Sequence, residues 1–250
     1  MYDVFYSNIN TQMKYTFSSN LFKGLLFFFS LNYLFSDDRL FLKQANILES
    51  KRLESENVKV ISGNVVFTKG DLTLKCQKGQ HIENLGIVIL YDEVSSTKGE
   101  LSFIADTLKF YSIKNQLLGI GNSHAWTPKY DLKADSITIF TQQDSGIASG
   151  NVTLIQNGQI LTAEKIIYKN YPELGEISYT AFGNVIIKDS VVTATSGIAR
   201  YSGIDQNTYL TNNPKIFDKD RILSGDKIKL EYYENNLKTI YIPSNAVATT

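Results

Sequence analysis

Residues Ala148 to Ile166 read ASGNVTLIQNGQILTAEKI, and the fold class follows from how that stretch is built. Val152 and Leu154 alternate with Thr153, Gln156-Asn157-Gly158-Gln159 turns the chain, and Ile160 to Ala163 resumes the run. Apolar residues at every second position mark a half-buried strand, and Asn-Gly between two such runs marks a hairpin. Glycine supplies the backbone angles that the turn needs.

The same unit recurs along the chain. Asn64, Glu93, Asn122, Asn151, Asn184 and Asn213 begin related windows at separations of 29, 29, 29, 33 and 29. Ten positions after each start stand Leu74, Phe103, Leu132, Leu161, Ala194 and Leu223. Two further on the residue is small: Cys76, Ala105, Ala134, Ala163, Ser196, Gly225. An acid follows at once in four windows, as Asp106, Asp135, Glu164 and Asp226. A period of this length marks an array whose units cannot bury a face alone and stack on their neighbours.

The spacing within the unit carries shape. Leu108 and Phe110, Ile137 and Ile139, and Ile166 and Tyr168 lie an odd number of residues beyond the preceding apolar pair. A flat strand cannot turn both pairs inward, so a bend or bulge is expected at the small-acid step, with the acid outside it. Residues 37–62 read as a lead-in with strand character, with a short helix over Gln44–Glu54 as the competing reading. Asn236–Ile242 begins a further strand, and Ser244–Val247 resembles the opening of a seventh unit. Such an end leaves an unpaired sheet edge, and a partner of like fold could extend the sheet there.

Composition narrows the function. Lys plus Arg and Asp plus Glu are 25 each, so no strong field attracts nucleic acid or an anionic membrane. Lys14 and Lys23 precede the apolar run Gly24–Ser36, which reads as a signal peptide over residues 1–36, with an N-terminal anchor as the alternative. Residues 37–250 then form the exported repeat domain. Cys76 is the single cysteine and takes a small-residue position, so a buried hydrophobe is the simplest account of it.

Chemistry is scarce. His81 and His124 fall at different phases of the repeat, which argues against a metal pair. No nucleophile elbow or phosphate loop is present, and no cofactor is expected. Asp106, Asp135 and Glu164 could form a carboxylate row of the kind that a sugar-cleaving β-helix uses, but their regular recurrence points to unit geometry. The chain is therefore expected not to be an enzyme.

Several segments resemble the OstA/LptA-like family of periplasmic lipopolysaccharide-transport proteins. They are Ile61–Phe67 (ISGNVVF), Gly70–Cys76 (GDLTLKC), Leu101–Phe110 (LSFIADTLKF), Leu132–Ile137 (LKADSI), Ala148–Leu154 (ASGNVTL), Leu161–Ile166 (LTAEKI) and Gly183–Val185. The resemblance covers roughly residues 40–247. It implies an all-β, elongated, twisted open β-jellyroll, a β-taco, in a Gram-negative periplasm. It also implies a lipopolysaccharide bridge or carrier whose apolar groove holds lipid A acyl chains, with inner- and outer-membrane transport proteins of the same fold as partners and head-to-tail self-association. On this sequence the groove-lining candidates are Val65, Phe67, Leu74, Phe103, Ala105, Leu108, Leu132, Ala134, Ile137, Leu154, Leu161, Ala163, Ile166, Val185 and Ile187. The fifth unit departs from the pattern, with Ser196-Gly197 in place of a small residue and an acid. Two alternatives stand beside the carrier: a structural or adhesive β-solenoid with a closed core, and, were the chain a fragment, the soluble domain of an outer-membrane translocon.

Overall fold

The computed structural model describes residues 39–249 apart from 54, 55, 172, 175 and 235. The expected signal segment therefore lies outside the described residues, as do Pro172 and Gly175 of the extended connection in the fourth window. The compact unit spans Arg39–Thr250.

Alternating sequence gives strands throughout. They are β1 (Phe41–Gln44), β2 (Ile47–Leu53), β3 (Glu56–Lys69), β4 (Leu72–Ile82), β5 (Ile87–Lys98), β6 (Leu101–Tyr111), β7 (Gln116–Trp126), β8 (Tyr130–Phe140) and β9 (Ser145–Gln156). There follow β10 (Gln159–Tyr171), β11 (Glu176–Lys188), β12 (Thr193–Ser202), β13 (Asn207–Thr211), β14 (Lys215–Asp218), β15 (Arg221–Ser224), β16 (Lys227–Tyr233), β17 (Asn236–Tyr241) and β18 (Val247–Thr249). The helix considered over Gln44–Glu54 does not form, because Ile47–Leu53 pairs along β3 instead. Among the described residues helical structure is limited to one 3-10 turn, Glu83–Leu85.

From β3 to β12 every strand pairs antiparallel with the next. At the two ends the long strands divide. β1 and β2 share β3, and β12 is shared by β13 and β14, which continue to β16 and β17 and to β15 and β18.

Each long strand changes direction once, and the cause is local. On alternate strands a Gly-Asn pair takes positive φ at both residues: Gly121 and Asn122 at 76° and 42°, Gly150 and Asn151 at 78° and 46°, Gly183 and Asn184 at 75° and 45°. Glycine adopts that region freely and asparagine better than most residues. The two corner residues oppose one residue of the neighbour, so the register slips between Ile120 and Ser123 opposite Ala134 and Ser136. Two against one is a β-bulge, here stacked unit upon unit at the small-acid step where the odd spacing places it.

The corner turns both halves of each strand toward one interior. On β8, Leu132, Ala134, Ile137 and Ile139 are all buried although the parity changes between Ala134 and Ile137. A single apolar cluster runs from Ile61 to Leu230.

Here the structure corrects the open jellyroll. The body is all-β but closed, with six strands forming a barrel and further strands outside it. Because the ladders join only the pairs named above, the meeting of the two apolar faces is what shuts the middle. Phe67, Phe103 and Phe110 are each 1% exposed or less, and Leu74, Leu90, Leu108 and Ile137 are at 0%. Small barrels are filled by their own side chains in this way, and unfilled space would forfeit dispersion contacts.

Candidate functional site

The corner is the most regular feature and the first place to look for chemistry. Asn122 Nδ2 donates to Asp106 Oδ2 at 2.9 Å, Asn151 Nδ2 to Asp135 Oδ2 at 3.0 Å, and Asn184 Nδ2 to Glu164 Oε1 at 2.7 Å. Asn245 Nδ2 repeats the contact with Asp226 Oδ2 at 2.8 Å. A Cβ added to Gly121, Gly150 or Gly183 would collide with the same carboxylates. The acids are thus occupied in holding the next corner, and Asp106, Asp135 and Glu164 act as the geometry of each unit requires.

The windows that depart from the pattern keep the partnership with other residues. In the second corner Asp92 and Glu93 take positive φ, and Gln77 Nε2 donates to Glu93 Oε2 at 2.9 Å, so acid and amide have exchanged sides. In the fifth window Gly197 stands where the acid is expected, and Asn212 packs over it. Asn212 and Asn213 carry the positive φ there, and Gly197 N donates to Asn212 O at 2.8 Å. Shallow recesses of about 530, 400, 340 and 610 Å³ run along the outer side of these corners, lined by corner residues together with Ile104, Thr162, Ile186 and Thr195.

The histidines are separated. His124 Nε2 lies 2.8 Å from Asp131 Oδ2 on the outer face, its ring 4.5 Å from that of Trp126. His81 meets the edge of Phe67, and burial pushes its pKa below the usual histidine value. Among the described residues no group of three or more His, Cys, Asp or Glu is placed to hold a metal ion.

The interior gathers all fifteen residues expected to line a groove. Val65, Phe67, Leu74, Phe103, Leu108, Leu132, Ala134, Ile137, Leu154, Leu161, Ala163, Ile166, Val185 and Ile187 are buried in one cluster, and Ala105 packs partly buried against it. They form layers across the strands, such as Phe103, Ala125, Leu132, Leu154, Leu161 and Ile187 in successive register. Cys76 lies in the row beside the corner, opposite Val65, and burial pushes its thiol pKa up to about 11. Small residues fit that row because the chain turns there.

Sequence reasoning did not find the mouth, where the two halves of the sheet meet at their turns. Lys69 Nζ donates to Asn115 Oδ1 at 2.6 Å and to Ser112 O at 3.3 Å, and Lys98 Nζ donates to Thr141 O at 2.8 Å. Further along, phenols take over. Tyr168 and Tyr179 are 7% exposed, with pKa values raised by burial, and Tyr179 stacks on Tyr201 with centroids 5.1 Å apart. Tyr130 and Tyr232 lie close enough to add to those shifts. The available signal was the same 29-residue period, since Lys69 and Lys98 stand one unit apart, each followed by glycine.

Residues 131–236, from the start of β8 to the start of β17, match the family described as LptA/(LptD N-terminal domain) LPS transport protein. The chain is also similar to the crystal structure of LptH, the LptA homologous periplasmic component of the lipopolysaccharide transport device from Pseudomonas aeruginosa. That likeness has 16% identity and a TM-score of 0.42, over 48% of this chain and 94% of that one. No curated protein matches. Over residues 131–236, somewhat under half of the chain, the likeness is therefore to the LptA/LptD N-terminal family, whose description is that of lipopolysaccharide transport.

Proposed function

We propose that this chain is a non-catalytic structural β-body of a periplasmic lipopolysaccharide-transport assembly, closed around its core at rest and joined to components of like fold through its end strands. The observation that carries this reading is the packed interior: residues that would line an open trough meet one another, and Leu74, Leu108 and Ile137 have no exposed surface. The ends support the joining. β1 and β2 form one edge and β17 and β18 the other, with Ile47, Leu48 and Val247 more than half exposed. Among the described residues these strands have no ladder on their outer sides, and open strand edges bind by adding strands, main chain to main chain.

The test has two parts. Sedimentation at rising concentration should show end-to-end association, and an uncharged fluorescent acyl probe should show no saturable uptake. Saturable uptake by the resting protein would overturn the closed-core reading, whereas a strict monomer at high concentration would remove the joining role.

A second reading is favoured by the family match: a carrier whose interior takes up lipid A acyl chains after the mouth opens. Photocrosslinking from Leu161 or Ile166 to labelled lipopolysaccharide separates the two, since only a carrier gives adducts from those positions.

A further inference from the structure

The mouth is closed differently along its length. Lys69 reaches Ser112 O across 43 residues of sequence, and Lys98 reaches Thr141 O across 43 as well. One contact is therefore the other moved on by a single repeat, with donor and acceptor both displaced by 29 positions. The next donor position is Thr127, followed by Pro128, and no lysine stands there. Beyond it the buried rings of Tyr168 and Tyr179 fill the closure.

We propose that Lys69 and Lys98 are a latch over the first half of the mouth, so that the closed core opens there and not along the tyrosine half. The physical grounds are the chemistry of each closure. Lys98 Nζ ends on a neutral backbone carbonyl, and hydrogen bonds to neutral acceptors are weaker than those to ionised ones. The bonds of Lys69 and Lys98 to carbonyl oxygen are also part-buried point contacts at turn tips, where local opening is least costly. The tyrosine half is held by large desolvated rings, whose separation would expose apolar area along the whole row. Beneath the latch lies Phe110, whose ring Lys69 Nζ approaches to 5.8 Å from the centroid. Release of the lysines therefore uncovers the core directly.

The experiment is peptide-resolved amide hydrogen exchange on the full chain, comparing wild type with Lys69→Met, Lys98→Met and the double variant. Methionine keeps an apolar stem over Phe110 and removes the donor. The double variant should exchange about tenfold faster across residues 109–118 and 136–142, and within twofold of wild type across 166–170 and 176–181. The single variants should each loosen mainly their own turn. Lys69→Arg with Lys98→Arg should restore protection, because the guanidinium can still donate to carbonyl oxygen. Lys75→Met, on the exposed outer face, serves as control and should change neither region. Unchanged exchange in the double variant would overturn the latch. So would an equal increase in both halves, which reports general destabilisation, or arginine variants that exchange like methionine.

Discussion

At the residue scale the corner glycines are the least replaceable positions outside the core. Gly150 combines φ of 78° with a site where a Cβ would meet the Asp135 carboxylate, so neither backbone nor space suits another residue. Gly150→Ala should cost about 2 kcal/mol or more, from left-handed strain together with the displaced carboxylate, as read by urea unfolding. Asp135→Ala, which leaves the backbone alone and removes an exposed hydrogen bond to Asn151, should cost about 1 kcal/mol or less. The buried ionisable groups make a second, independent forecast. Cys76, Tyr168 and Tyr179 all have pKa values raised by burial, so each contributes stability that is fully present below its unfolded pKa and is lost as pH rises toward its folded one. Stability should hold through neutral pH and fall from about pH 9, with Cys76 alone contributing up to about 3 kcal/mol by pH 11. Urea midpoints measured from pH 7 to 11 check the sign. A thiol reagent at pH 8 should label Cys76 only after unfolding.

At the scale of the element, much was legible because one physical rule repeats. Alternation in Val152–Ile155 gave a strand, the odd spacing from Ala134 to Ile137 gave the bulge, and Asn236–Ile242 gave an end strand, each from side-chain direction alone. Closure was not legible from the same information. Direction says that Phe103 and Leu108 face inward; it does not say how far apart the two inward faces stand. That distance is set at the mouth by Lys69, Lys98 and the tyrosines, and a lysine beside a turn glycine reads in sequence as a solvated tip. The acids were legible as unit geometry but not their partner, since Asn122 and Asp106 are 16 residues apart and meet only once β6 and β7 pair. A core substitution tests the strand register directly. Ile137→Ala removes a fully buried side chain between Gly119 and Ala148, which are too small to close the gap. It should cost about 2–5 kcal/mol in urea unfolding, while Ile120→Ala, on the outer face of the paired strand and 40% exposed, should cost less than about 1 kcal/mol.

At the scale of the whole molecule, the size of the apolar interior decides how it can open. Fully exposing a Leu, Ile, Val or Phe side chain costs about 1.5–3 kcal/mol, and an open trough would expose the better part of a dozen of them at once. That sum exceeds the about 5–15 kcal/mol by which a domain is stable, so the full trough is not an alternative resting state of the same strands. A local opening that uncovers two or three side chains near the mouth falls within reach of thermal fluctuation. The two limits differ in a measurable way. Because the strands pair almost wholly with their sequence neighbours, loss of one unit's packing should leave distant units protected, as in other stacked arrays. Amide exchange at low denaturant should therefore reveal sub-global opening of β3–β8 at lower free energy than β9–β12. In Ile137→Ala the opening energy of β7–β9 should fall by the same amount as the unfolding energy, leaving β11 and β12 unchanged. Exchange that rises equally from β3 to β12 would show instead that the barrel opens only as one cooperative body, and that no part of its interior is reached without unfolding the rest.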